Sequence, residues 1–213
     1  MAKIDELIPF ILYFEAGGAP SCFRMVYTSW GKGRIYDPSL LTPEQQFCEC
    51  KKHGFANDPD DAGGATMCGI TIATYKAYCK RKGYPVPTVF SLRNITYERW
   101  RDILKTLFWD RWKADEIKSQ ALANNLVDWV WASGVNGIKI PQRLLGVAQD
   151  GIVGPKTIAA VNAANEAELF TKIHEARINF VDGIVRRKPS QKKFIKGWKR
   201  RINAITLSGL KFT

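Results

Sequence analysis

Along the second half of the chain, apolar residues recur at helical spacing. In 96–112 (TYERWRDILKTLFWDRW), Trp100, Ile103, Leu107 and the pair Trp109 and Trp112 predict one buried helix face, and Thr96 stands where a capping hydroxyl is needed. Residues 119–132 (SQALANNLVDWVWA) continue helical and end at Gly134, a helix-stop residue. A short helix is expected from Pro141 to Leu145. In DGIVGPKTIAAVNAAN, Gly154 turns the chain and Pro155 opens a helix at its first position, where the N–H it lacks would have no partner. Asn165 and Glu168 have the spacing of a capping box for a helix running to about Arg186, and Ser190 is placed to cap a last one.

The first half is less regular. Residues 3–15 (KIDELIPFILYFE) predict a helix whose apolar side grows toward its end, with Pro9 marking a kink or the true start, and Ala16-Gly17-Gly18 stopping it. The stretch 19–54 has no sustained period, is rich in Gly, Pro and Cys, and reads as a long insertion with short strands around Phe23 to Tyr27. Thr71 is placed to cap a helix from Ile72 to Lys82, stopped by Gly83 and Pro85. The expected fold is therefore all-α, mainly helical, with any strands confined to short pieces in the insertion. There is no internal repeat, and a modest seam near 113–120 divides a region 1–115 from a region 116–213.

Charge narrows the partners. The formal net charge is +12, and the tail from Arg186 to Arg201 (RRKPSQKKFIKGWKRR) carries no acidic residue. Nucleic acid, an anionic membrane surface or an acidic polymer such as a bacterial wall all fit that excess. No stretch approaches the roughly 18 consecutive apolar residues of a membrane span. The run Ile8 to Phe14 is short, follows Asp5 and Glu6, and is not expected to act as a secretory signal. Five cysteines, an odd number, point to free thiols. Cys48, Cys50 and His53 form a C-x-C-x2-H cluster that would need Cys22 to complete a zinc site, and the usual C-x2-C spacing is absent.

The chemistry concentrates in residues 55–71 (FANDPDDAGGATMCGIT), where Pro59 and a Gly pair predict a tight polar loop bearing Asp58, Asp60 and Asp61. Those acids cap, bind a cation or catalyse; Asp58 and Asp60 are read first as turn-shaping residues. Glu15 lies where the apolar surface of Phe10, Ile11 and Phe14 meets a glycine turn, so partial burial there would favour the protonated acid, able to protonate a leaving group. An ionised aspartate and a hydroxyl on the loop can hold a water opposite it, which is the division of labour in glycoside hydrolysis. By residue type alone, helix-capping and turn-forming roles for these acids are the commoner reading. His53 and His174 are the only histidines, and a cysteine nucleophile paired with one of them has little support. Most of the seven tryptophans are expected in the core.

The segment NDPDDAGGATMCGIT, preceded by FEAGG, resembles the signature of glycoside hydrolase family 108, lysozyme-like N-acetylmuramidases. The helix ITYERWRDILKTLFWDRW is similar to the family's Tyr/Trp-rich helix. DWVWASGVNGIKIPQRLLGVAQDGIVGPKTIAAVN resembles its linked peptidoglycan-binding region, with Arg177, Phe180 and Gly197-Trp198 at landmark positions. The resemblance implies Glu15 as general acid, with Asp61 and Thr66 positioning water. Asp60, Gly63 and Gly64 of the loop, and Tyr75 on the helix after it, are expected to contact substrate. It implies no metal or organic cofactor, bacterial peptidoglycan as partner, a monomer without stable membrane insertion, and synthesis in the bacterial cytoplasm as in a phage or prophage endolysin.

Two departures stand out. The Glu-Gly-Gly of the family is here Glu15-Ala16-Gly17-Gly18, and residues 19–54 separate it from the loop, so that directly upstream of the loop the acid's place falls on Lys52. Either the insertion returns Glu15 to the loop, or Glu49 substitutes, or the site is inactive and the chain is a wall-binding protein. The first is favoured, because loop-closure entropy grows only logarithmically with length. A basic nucleic-acid-binding protein is the remaining rival, without a recognisable motif to support it.

Overall fold

A computed structural model describes residues 1–28, 31–57 and 64–212 of the chain. Among these the protein is mainly helical, and its contacts divide it into two units: Asp5–Leu107 together with Phe212, and Met1–Ile4 together with Phe108–Lys211.

In the first unit, α1 (Ile8–Ala16) begins at its proline, so Pro9 marks the true start, preceded by a 3-10 turn over Ile4–Glu6. The insertion is more ordered than its sequence suggests. An antiparallel hairpin pairs β1 (Phe23–Thr28) with β2 (Gly31–Tyr36), and α2 (Pro43–Lys51) follows. That helix has the signals that the absence of a long apolar period concealed. Pro43 lies in its first turn, and Thr42 and Gln45 form a reciprocal capping box. Tyr36 ties the insertion down: its ring lies 4.9 Å from that of Tyr13 and 5.1 Å from that of Phe212, while its hydroxyl donates to Gln46 Oε1 at 2.9 Å. Gln46 is itself fully buried and donates to the carbonyls of Pro38 and Leu41.

A small antiparallel sheet follows, ordered β3 (Phe55–Ala56), β4 (Thr66–Met67), β5 (Ile70–Thr71), so strands are not confined to the insertion. Then come α3 (Ile72–Lys82), capped by Thr71 and closed by Gly83 as the sequence predicts, α4 (Val89–Arg93) and α5 (Tyr97–Leu104), capped by Thr96. The continuous helix expected over 96–112 ends early: Lys105–Trp109 is a π turn. The wider turn shifts the helical register, and Trp109 and Trp112 are both fully buried beyond it.

In the second unit, α6 (Gln120–Ser133) is buried on nearly every side and ends at Gly134. It crosses α7 (Asn136–Leu144) at Gly137, where a Cβ would come within 2.6 Å of the Trp129 and Val130 backbone. The short helix expected from Pro141 begins five residues earlier, with Pro141 inside it. The missing N–H of Pro141 would strand the Gly137 carbonyl, and the Trp112 indole donates to that carbonyl at 3.1 Å. Next come α8 (Pro155–Ala163) and α9 (Glu166–Arg187), with Asn165 accepting from the Glu168 N–H. The last helix, α10 (Ile195–Asn203), starts after a 3-10 stretch over Pro189–Phe194 and has no side-chain cap, so Ser190 does not serve as one. A two-stranded ribbon, β6 (Ile205–Thr206) with β7 (Gly209–Leu210), closes the unit.

At its centre Asp128, fully buried on α6, accepts from Arg177 of α9 at 2.6 Å and from the Nε and terminal nitrogen of Arg201 of α10 at 2.9 and 2.8 Å. Arg201 thus takes part of the basic tail inside the fold, while Lys199 pairs with Asp182 at 2.8 Å at the surface. Burial works to raise the Asp128 carboxyl, and the charges of Arg201 and Arg177 together with their hydrogen bonds outweigh it, holding it below the ordinary carboxylate range. A depressed folded value stabilises fully above the unfolded pKa of about 3.9 and is lost as pH falls through the folded one. Acid unfolding of this unit should therefore set in below about pH 4. Asp128→Asn, which leaves Arg177 buried beside a neutral group, should cost about 3–5 kcal/mol in denaturant titrations at neutral pH.

Candidate active site

Three chain segments converge on the turn between β4 and β5. Cys68 and Gly69 form that turn, both with positive φ (44° and 82°). A non-glycine residue rarely adopts that conformation unless its surroundings hold it there. Here the Cys68 N–H donates to the Gly54 carbonyl at 2.9 Å, and its own carbonyl accepts from the Trp100 indole at 3.1 Å. The thiol is buried, which pushes its pKa up to about 12; the charges of Cys50 and Glu15 add to the effect and Lys51 opposes it.

Gly54 is the second contributor. It ends the insertion, and a Cβ there would stand 2.6 Å from the Cys68 sulfur, 2.8 Å from the Cys50 carbonyl and 3.3 Å from the Ala16 Cβ. The third is the end of α1, where the Ala16 carbonyl lies 2.8 Å from His53 Nε2 and Gly17 (φ +75°) caps the helix through its N–H to Leu12. The insertion therefore leaves the end of α1 and comes back to it. Glu15, half-buried in the last turn of α1, reaches the β4–β5 turn electrostatically.

Thr66 stands at the start of β4, opposite Thr71 on one side and Ala56 on the other, and is half-buried. Gly64, with φ +66°, turns the chain into that strand, and the Ala65 carbonyl accepts from the Ile72 N–H at 2.8 Å, joining the loop's end to the start of α3. Asp58, Asp60, Asp61 and Gly63 lie outside the described residues.

Tyr75 lies on α3, nearly buried, and lines a surface pocket of about 320 Å3 with Tyr84, Val86, Ser91 and Arg99. Glu15 and Thr66 do not line this pocket. The neighbouring Tyr78 is committed elsewhere: its hydroxyl donates to Asp102, and Arg99 stacks over its ring at 5.6 Å.

Glu49 is placed unlike a proton-holding acid. It accepts from the hydroxyl and, at 2.9 Å, the backbone N–H of Ser21, and these bonds lower its pKa. The zinc reading of Cys22, Cys48, Cys50 and His53 finds no geometry. Residues two apart on a helix point in widely different directions, and Cys48 is exposed while Cys50 and Cys22 are buried. Among the described residues, no group of three or more His, Cys, Asp or Glu side chains is arranged to hold a metal ion.

Sequence reasoning did not find Gly54, whose only signal is that a glycine precedes the loop in KKHGF. It also gave Arg177 no physical role, because its partners Asp128 and Arg201 are far away in sequence. Gly54→Ala should drive the end of α1 away from the β4–β5 turn, at a cost of about 1–3 kcal/mol in stability. Any activity that needs Glu15 beside that turn should fall with it, read as thermal melting and turnover on the same preparation.

Residues 51–134 match the family model Glycosyl hydrolase 108, and residues 136–203 match the model described as Predicted Peptidoglycan domain. Glu15 precedes both spans. Among solved structures, that of Brucella abortus SagA is similar, with 27% identity and a TM-score of 0.61, covering 75% of this chain and 90% of that chain. No curated protein matches. The likeness read from the Asn-Asp-Pro loop is borne out: the chain matches the glycosyl hydrolase 108 model and then the predicted peptidoglycan model, a pairing that supports a hydrolase of peptidoglycan.

Proposed function

We propose that the protein is an N-acetylmuramidase that cleaves the β-1,4 bond after N-acetylmuramic acid in bacterial peptidoglycan. Glu15 is the general acid that protonates the glycosidic oxygen. The Asp61 carboxylate and the Thr66 hydroxyl hold the water that attacks the anomeric carbon, and the loop residues Asp60, Gly63 and Gly64 line the path of the glycan. Tyr75 offers a ring for a sugar or stem group further along the surface. None of these steps needs a metal.

The observation that carries this reading is the return of the insertion to the end of α1. Gly54 packs between Ala16 and Cys68, and the charge of Glu15 reaches Cys68, two residues past Thr66. A carboxylic acid at the end of α1 and a hydroxyl-bearing strand leading into the turn it reaches are the two halves that acid-assisted attack by water requires. The engagement of Glu49 with Ser21, which favours its ionised form, supports Glu15 over Glu49 as the acid. The matched peptidoglycan domain supports wall polymer as the partner, and no helix among the described residues is long and apolar enough to cross a membrane.

Reducing ends released from purified peptidoglycan test the assignment. Wild type should release them, and Glu15→Gln, isosteric and neutral, should release them about 10²–10⁴-fold more slowly with an unchanged melting curve. Full activity in Glu15→Gln would sink the assignment of the acid. Wall sedimentation of the wild type without any release would identify a binding protein instead.

A further inference from the structure

In the first unit, the surface pocket beside Tyr75 joins an apolar wall to a half-buried guanidinium. Tyr75, Tyr84, Pro85, Val86, Pro87 and Arg99 are among its walls, around a volume of about 320 Å3, at the low end of the roughly 300–1,000 Å3 of ligand pockets. The plane of Arg99 is fixed by two rings: it lies over Tyr84 at 4.4 Å and over Tyr78 at 5.6 Å, and one terminal nitrogen donates to the Tyr78 hydroxyl at 3.4 Å. Stacking uses the faces of a guanidinium and leaves its edge, a rigid fork of N–H donors, for other work. Among the described residues no carboxylate pairs with that edge, and the groups that feel the charge of Arg99 most are Tyr78, Tyr75 and Tyr84. The carboxylate beyond Tyr78, that of Asp102, is paired with Lys82 at 3.1 Å. The unpartnered donors of Arg99 are not sealed inside the fold, so they are open to solvent on a side chain that lines the pocket.

Tyr75 supplies a second donor. It is 9% exposed, and its hydroxyl has no hydrogen-bond partner among the described residues, yet that hydroxyl is not sealed in either, so it opens on the pocket that the ring lines. Burial raises its pKa, the charge of Cys79 adds to the effect, and the positive charge of Arg99 opposes it, so guanidinium and phenol lie within reach of each other's fields. The apolar wall is set in advance. Pro85 and Pro87 fix their own φ and confine the residues before them, Tyr84 and Val86, to extended backbone, which leaves little to be ordered on binding. A planar cation held in place and a phenol donor beside an apolar wall suit a carboxylate on a short aliphatic stem.

In peptidoglycan the lactyl group of muramic acid is joined to the peptide by an amide, so the sugars that bear stems are uncharged and the carboxylates belong to the stems. We propose that this pocket is a subsite for the free α-carboxylate of the γ-linked glutamyl residue of the peptide stem, held by the edge of Arg99 and the hydroxyl of Tyr75 with its methylenes against Val86. That residue, second along the stem, is the first carboxylate that a stem offers beside the glycan. The inference rests on peptidoglycan as the partner and deepens the part given to Tyr75: its pocket reads the charge of the peptide, and cleavage of the glycan is left to Glu15 and the loop.

Titration calorimetry on the full chain tests it with four probes: acetyl-L-alanyl-D-glutamate γ-methylamide, whose α-carboxylate is free, the same compound as its α-carboxamide, N-acetylglucosamine, and inorganic phosphate. The acid should bind saturably at one site, and the other three at least about tenfold more weakly. Arg99→Gln should weaken binding of the acid at least about tenfold. Val86→Glu, at a position 77% exposed, leaves the stack of Arg99 on its tyrosines in place, answers the guanidinium from within the chain, and should abolish that binding even if Arg99→Gln fails to fold. No saturable binding of the acid, equal binding of acid and carboxamide, sugar or phosphate bound as tightly as the acid, or undiminished binding in a folded Val86→Glu variant would each overturn the subsite. Reducing-end release separates the two claims. Ends released without binding of the acid refute the subsite alone, and binding of the acid without ends refutes the glycan-cleavage reading alone.

Discussion

Gly54 sits where the end of α1, the end of α2 and the β4–β5 turn come together, and the distances there leave room for a hydrogen and nothing larger. Much of the first unit follows from that close approach. The Gly54 carbonyl holds Cys68 in a left-handed conformation, Cys68 in turn accepts from Trp100 of α5, and the turn fixes where β4 and its threonine lie. The insertion can return to α1 only because its last residue has no side chain. Its length here is absorbed by a hairpin and a capped helix that pack through Tyr36 and Gln46.

The second unit solves a different problem, that of charge in a core. Asp128, Arg177 and Arg201 come from three separate helices, and each bond between them fixes the position of one helix against another. Such a cluster is a weak source of net stability, because desolvation offsets its attraction, and a strong source of geometric definition.

The legible parts of this protein were those written in local chemistry. Thr71, Thr96, Gly134, Pro155 and Asn165 mark element ends in the structure as they do in the sequence, because a cap acts within four residues of itself. Non-local partners hid the rest. Pro141 looked like a helix start because the indole that takes over its stranded carbonyl comes from residue 112. The helix through Trp109 looked continuous because a π turn leaves the apolar spacing nearly intact. At the site, Glu15 could be singled out by its setting and by resemblance, but the packing of the end of α1 on the β4–β5 turn depends on Gly54, which carries no chemistry of its own.

The placement of Arg201 also separates two electrostatic regimes within one basic segment, the 3-10 stretch over Pro189–Phe194 and α10 after it. At physiological ionic strength the Debye length is about 8 Å, so the exposed lysines Lys192, Lys193 and Lys196 feel an anionic polymer only at close range and lose their pull as salt rises. Arg201, 13% exposed against a carboxylate with no exposure, is hardly screened. Ionic strength can therefore tune how quickly the protein finds a charged surface while leaving α10 locked in place.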